Sequence, residues 1–163
     1  MVKLGKLTDY GLVLMTCMAR SEASLPQRTA RDLASESKLP LSTVSKLLKE
    51  LLQSGLLLSQ RGTKGGYMLA KQPHQISVVD IIAAIEGPMA LTECSTDVSG
   101  LCNLELSCPI KSNQRIINQA VRGVLEKITL SDLVQPLQLI SIKDSRGRVV
   151  SSIASIASSG SIQ

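Results

Sequence analysis

Apolar positions recur at helical spacing through the first third of the chain. In residues 8–20, Leu12, Met15 and Met18 share one face, and Thr8 is placed to cap the first turn. Thr29 predicts the cap of a second, short helix over 30–37, followed by a turn at Lys38-Leu39-Pro40. Ser42 predicts the cap of a third helix reaching about Gln53. There Val44, Leu47, Leu48 and Leu51 follow the i, i+3, i+4, i+7 pattern of one buried stripe, and Gly55 ends it. Leu56–Gln60 and Tyr67–Ala70 then flank the loop Arg61-Gly62-Thr63-Lys64-Gly65-Gly66, which reads as a β-hairpin. Two short helices joined by a tight turn and followed by a hairpin make the pattern of a winged helix-turn-helix.

Further along, Ser77 predicts a helix cap, with Val78, Val79, Ile81, Ile82 and Ile85 as the apolar face and Gly87-Pro88 as the stop. From there to about Lys111 no period is visible, and irregular stretches of that length inside a small protein are usually functional or disordered. Pro109 suits the first position of a last, long helix, leaving Cys108 as its cap. Ile116, Ile117, Ala120, Val121, Val124, Leu125 and Ile128 give this helix a broad aliphatic stripe, which must be covered by the same chain or by a second subunit. The Ser-, Ile- and Ala-rich residues 136–163 read as a low-complexity, disordered tail. The predicted fold is therefore mainly α with a small β-hairpin wing. Residues 1–76 form the winged helix-turn-helix, residues 77–135 a linker helix, a cysteine-rich loop and the long helix, and residues 136–163 the tail.

Composition narrows the function. With aromatics at 1%, two Tyr and no Phe or Trp, the core must be aliphatic, and the scarcity argues against the base stacking used by most single-strand and RNA binders. No run approaches the roughly 18 apolar residues of a membrane span, and Asp9 and Arg20 bracket only a short apolar stretch at the N-terminus, so a cytoplasmic protein is expected. The net charge is +5, unevenly spread: residues 1–76 hold 11 Lys/Arg against 5 Asp/Glu, and residues 77–135 hold 4 against 7. A basic front and an acidic middle fit a polyanion-binding module joined to a second function.

The third helix turns Ser42, Thr43, Ser45, Lys46 and Lys49 away from its leucine stripe. In a major groove of duplex DNA, the N-terminal hydroxyls would meet base edges and the lysines phosphates. The hairpin tip adds Arg61 and Lys64, with Gly62 and Gly65 letting the backbone come close to a groove wall. A solvated polar face is the alternative for the helix alone; turn, helix and basic wing in that order favour DNA. The lone His74 reads as a solvated loop residue.

Three of the four cysteines, Cys94, Cys102 and Cys108, fall in the spacing C-x7-C-x5-C. A reducing cytoplasm disfavours disulfides, and structural zinc sites usually use short C-x2-C knuckles, absent here. Separated thiolates on an open loop better suit iron, with unliganded reactive thiols as the alternative. A helix dipole at Cys108 and the nearby Lys111 would favour the thiolate. Cys17, on the first helix, reads as a buried structural thiol. Three cysteines leave a cluster one ligand short.

Lys3-Leu4 and Leu7-Thr8-Asp9-Tyr10, then Arg61-Gly62-x-x-Gly65-Gly66-Tyr67, the three cysteines, and Ile128-Thr129-Leu130-x-Asp132-Leu133 together resemble the IscR/NsrR group of bacterial winged-helix regulators. Within that group the sequence is most similar to regulators of SUF iron–sulfur cluster assembly. The resemblance covers about residues 1–135. It implies a homodimer whose long helices cross between subunits, and a [2Fe–2S] or [4Fe–4S] cluster on Cys94, Cys102 and Cys108 whose state switches DNA binding. Lys111 stands where the IscR pattern has a histidine ligand, and an ammonium cannot ligate. NsrR-like proteins use an N-terminal aspartate from the partner subunit, which implies Asp9 as the fourth ligand in trans. The first cysteine gap is longer than the usual x5, and Ser45 replaces the IscR glutamate in the third helix.

The expected function is thus a DNA-binding transcriptional repressor that senses iron–sulfur status. A thiol-based redox or nitric-oxide sensor on the same scaffold is the alternative. A cysteine-dependent enzyme has little support, because a nucleophilic cysteine needs an oriented base and His74 is the only histidine.

Overall fold

A computed structural model of the chain describes residues 4–21, 27–62, 65–92, 107–143 and 149–155. Helices α1 (Lys6–Ser21), α2 (Ala30–Ser37) and α3 (Leu41–Gln53) precede the antiparallel hairpin β1 (Leu57–Gln60) and β2 (Gly66–Leu69). A 3₁₀ turn at Pro73–Gln75 leads to α4 (Val78–Glu86); α5 (Lys111–Glu126) and α6 (Leu130–Leu133) follow, then a second hairpin, β3 (Leu137–Lys143) and β4 (Val149–Ser155). The architecture is the mainly helical winged fold that the apolar pattern predicts.

Local chemistry starts most of these elements where the sequence placed them. Thr29 accepts from Asp32 N–H at 3.2 Å while the Asp32 carboxylate accepts from Thr29 N–H at 3.1 Å, a reciprocal capping box at the head of α2. Ser77 and Asp80 repeat it on α4, and Thr129 and Asp132 on α6. Lys38 ends α2 in the left-handed conformation at φ 58°, which turns the chain sharply into α3.

Three helix starts differ from expectation. Thr8 lies inside α1, fully buried, and its hydroxyl donates to the Glu86 carboxylate, which also accepts from Gly5 N–H at 2.8 Å. A carboxylate from the end of α4 thus satisfies donors that a local cap would have served. Ser42 lies inside α3: Pro40, held at φ −58°, is the N-cap without a side-chain bond, so the helix begins two residues earlier. Cys108 does not cap α5, and Pro109 is not its first residue. Ile110, at φ −110° and ψ 6°, sits in the bridge region, so the helix starts only at Lys111, whose N–H reaches back to the Cys108 carbonyl at 3.4 Å.

The predicted disordered tail is corrected in part. Leu137–Lys143 pairs antiparallel with Val149–Ser155, from Leu137↔Ser155 to Lys143↔Val149. Ile140 and Ile142 in one strand and Val149, Val150 and Ile153 in the other are β-favouring residue types that the Ser-rich composition masks. Residues 144–148 and 156–163 lie outside the described residues.

One aliphatic core holds the front of the molecule. Leu14, Met15 and Met18 of α1, Leu33 of α2, the α3 stripe, Leu57 of β1, and Ile76, Ile81 and Leu130 pack together. Val78, Ile82 and Ile128 form a smaller cluster beside it, contacted by Leu125 at the end of α5. The chain returning from α5 is pinned there: Val78 N–H donates to Ile128 O at 2.9 Å and Leu130 N–H to Ile76 O at 2.8 Å. The two ends of the α4–α5 segment therefore rest on the winged domain.

Candidate nucleic-acid interface

Burial of Val44, Leu47, Leu48 and Leu51 fixes the rotation of α3, because those four side chains have no exposed surface. What remains outward is Ser42, Ser45, Lys46 and Lys49, with Thr43 half-buried at the edge. These are the five residues singled out on this helix, and the fold leaves them together on one polar side. Leu41, at the first position, is exposed too, and the polar pattern gave no reason to pick it out.

The hairpin is tied to the segment before α2 by a third strand-like contact. Arg28 N–H donates to Tyr67 O at 3.0 Å and Tyr67 N–H to Arg28 O at 2.8 Å, so the segment before α2 pairs with β2. The backbones are so close that a Cβ at Gly66 would sit 2.8 Å from the Arg28 carbonyl oxygen, which only glycine avoids. Arg28 also pairs with Glu36 of α2, and Gln27 bonds Gln60 of β1. Neither Arg28 nor Gln27 was singled out in the sequence; their role depends on the pairing with the hairpin, which has no local signature. At the tip, Arg61 is exposed, Gly62 has φ 119°, and Gly65 N–H closes the turn onto Gly62 O at 2.9 Å. Lys64, the other basic tip residue, lies outside the described residues.

Of the candidate metal ligands, Cys94 and Cys102 lie outside the described residues. Cys108 is half-buried with a free thiol, in the turn that leads into α5. Asp9 is exposed in the first turn of α1. Among the described residues, no three His, Cys, Asp or Glu side chains converge as a metal site. Within one chain, then, the described part of the donor set is one cysteine sulfur, a soft donor of the kind iron takes, with Asp9 on another element.

Two contacts brace the start of the cysteine-bearing segment, and both involve residues that the sequence reading passed over. Asn118, the buried residue of α5, accepts from Leu91 N–H at 3.0 Å, holding the chain just past α4. Glu86 holds the head of α1 as described. Cys17, expected as a buried structural thiol, sits half-buried on α1; burial raises its thiol pKa above the ordinary value, and the nearby Glu36 adds to the rise.

The outward side of α5 is apolar. Ile116, Ile117, Val121 and Val124 are 65%, 49%, 37% and 51% exposed in the isolated chain, a stripe on a helix of about 24 Å. Among the described residues, no helix is long and apolar enough to cross a membrane.

Comparison with known proteins agrees with this geometry. The Rrf2 family profile, described as an iron-dependent transcriptional regulator, matches residues 4–136. The chain is 30% identical over 142 residues to the HTH-type transcriptional regulator IscR of Cronobacter sakazakii, spanning 85% of this chain and 86% of that protein. It is 28% identical over 133 residues to the HTH-type transcriptional regulator NsrR of Shouchella clausii, spanning 82% and 89%. The solved structure of CymR, the global cysteine regulator of B. subtilis, superposes with a TM-score of 0.64 at 30% identity, covering 82% of this chain and 97% of that one.

Proposed function

Because this chain belongs to the Rrf2 family of transcriptional regulators, we propose that it binds duplex operator DNA as a cytoplasmic homodimer. In this reading it represses genes of iron–sulfur cluster assembly according to the state of an iron–sulfur cluster. The observation that carries the reading is the outward polar side of α3, locked by its buried apolar stripe, on a chain whose wing leaves Arg61 exposed. Ser42, Thr43 and Ser45 meet base edges, Lys46 and Lys49 meet phosphates, and Arg61, Gly62, Lys64 and Gly65 approach an adjacent groove. The aliphatic side of α5 supports the dimer, since that much exposed aliphatic surface calls for a partner.

Cys94, Cys102 and Cys108 would hold a [2Fe–2S] or [4Fe–4S] cluster, with the partner subunit's Asp9 as the fourth ligand. When bound, the cluster supplies a centre sensitive to iron supply, oxidants and nitric oxide. The protein's own part is to brace that centre: Asn118 and Glu86 tie the start of the cysteine segment to α5 and α1.

Anaerobic purification, a visible spectrum with iron and sulfide assay, and operator binding before and after chelation test the proposal. We expect colour and iron in the wild type, none in Cys108→Ala, and a change in DNA affinity when the iron is removed. Arg61→Ala should weaken DNA binding and keep the colour. Equal affinity with and without iron would overturn the sensing mechanism. Lys111, where the IscR pattern has a histidine ligand, favours a second reading, a thiol-based redox or nitric-oxide sensor. A colourless, iron-free protein with normal operator binding that responds to oxidants would establish that reading instead.

A further inference from the structure

Leu41 is placed against the grain of its own helix. The α3 stripe is fully buried, and Leu39, two residues before the helix, packs against the same core. Leu41 does not join them and remains 45% exposed. Along the helix Leu41, Ser45 and Lys49 follow one another at i, i+4 and i+8, so the leucine heads a row whose other members are exposed and polar. The exposed part of this aliphatic side chain gains nothing for the folded monomer. Nor does the helix start require it: Pro40 already sets the entry, and Ser42 and Thr43 beside it are the residue types that favour a first turn.

The major groove offers one apolar feature on its base edges, the 5-methyl group of thymine; every other group there is a hydrogen-bond donor or acceptor. Residues at the N-terminal end of a recognition helix are those that come nearest the bases. Resting on the DNA-binding reading above, we infer that Leu41 is a base-reading residue that packs on a thymine methyl. The neighbouring hydroxyls of Ser42, Thr43 and Ser45 take polar base edges. Leu41 thereby sets a requirement for thymine that the hydroxyls and lysines alone would not impose, since a hydroxyl both donates and accepts and tolerates several bases.

The test uses the full chain, purified anaerobically, and a randomised duplex library from which one tightly bound duplex is selected. Each thymine in turn is replaced by deoxyuridine, which removes the methyl and leaves the hydrogen-bonding edge intact. Affinity is then measured for the wild type and for Leu41→Ala. One thymine per half-site should stand out: losing its methyl weakens wild-type binding about fourfold, the equivalent of about 0.8 kcal/mol for one buried methyl-sized group. The same replacement should leave Leu41→Ala unchanged, and the variant should melt with the wild type because the side chain is outside the core. Wild-type binding that is indifferent to every deoxyuridine overturns the inference even if no variant is made. So does an equal loss in both proteins, which would put another side chain on the methyl. A library that yields no enriched duplex would remove the DNA-binding reading itself, an outcome distinct from either of these.

Discussion

Glu86 caps a helix 78 residues away from it in sequence. Its carboxylate receives the Thr8 hydroxyl and the Gly5 amide at the head of α1, where no local side chain does that work. Thr8→Val keeps the shape and removes one donor, so it should cost about 1 kcal/mol in a urea titration; an unchanged midpoint would show the contact to be idle. Asp32 makes a second residue-scale prediction. The Thr29 hydroxyl, and then the Thr29 amide, donate to its carboxyl and hold it below the ordinary carboxylate range. A carboxyl whose folded pKa is depressed contributes stability above its unfolded value of about 4 and loses it as pH falls through the folded value. Asp32→Asn should therefore be less stable than the wild type in urea titrations at pH 7, and the gap should close as pH falls below about 4; a gap that does not narrow in acid would contradict the capping role.

At the scale of elements, α3 and α5 show opposite solutions for an amphipathic helix. The apolar side of α3 meets a core made by its own chain, while that of α5 meets solvent over Ile116, Ile117, Val121 and Val124. Charge on α5 is therefore a test of assembly with little effect on the monomer's packing. Ile117→Glu should give a monomer in sedimentation velocity and lower operator affinity at least tenfold, since two half-sites would no longer be held by one particle. A variant that remains dimeric would place the interface elsewhere.

The molecule as a whole carries +5, with its positive excess in residues 1–76, where α3 and the wing lie. If a dimer makes about 6–10 phosphate contacts, operator affinity should fall some 10³–10⁵-fold between 50 and 200 mM salt. Fluorescence anisotropy across that range measures the slope, and a flat response would contradict a phosphate-anchored complex. The architecture explains why both functions can share so small a chain: the cysteine segment leaves from α4 and returns through α5 and α6, both ends resting on the winged domain.

Periodicity alone was enough for α2, the apolar stripe of α3, the wing and α4, because each is set by neighbours within a few residues: a capping pair, an i, i+3, i+4 stripe, glycines in a turn. The polar side of α3 followed from the same stripe read in reverse. Tertiary structure decided what depends on distant partners. It moved the start of α1 onto Glu86, tied Arg28 to Tyr67, buried Asn118 against Leu91, paired the two strands of the tail, and left Leu41 in water. Apart from the tail hairpin, whose strands adjoin, none of these has a local signature, since a contact between remote segments is chosen only once the hydrophobic core has brought those segments together.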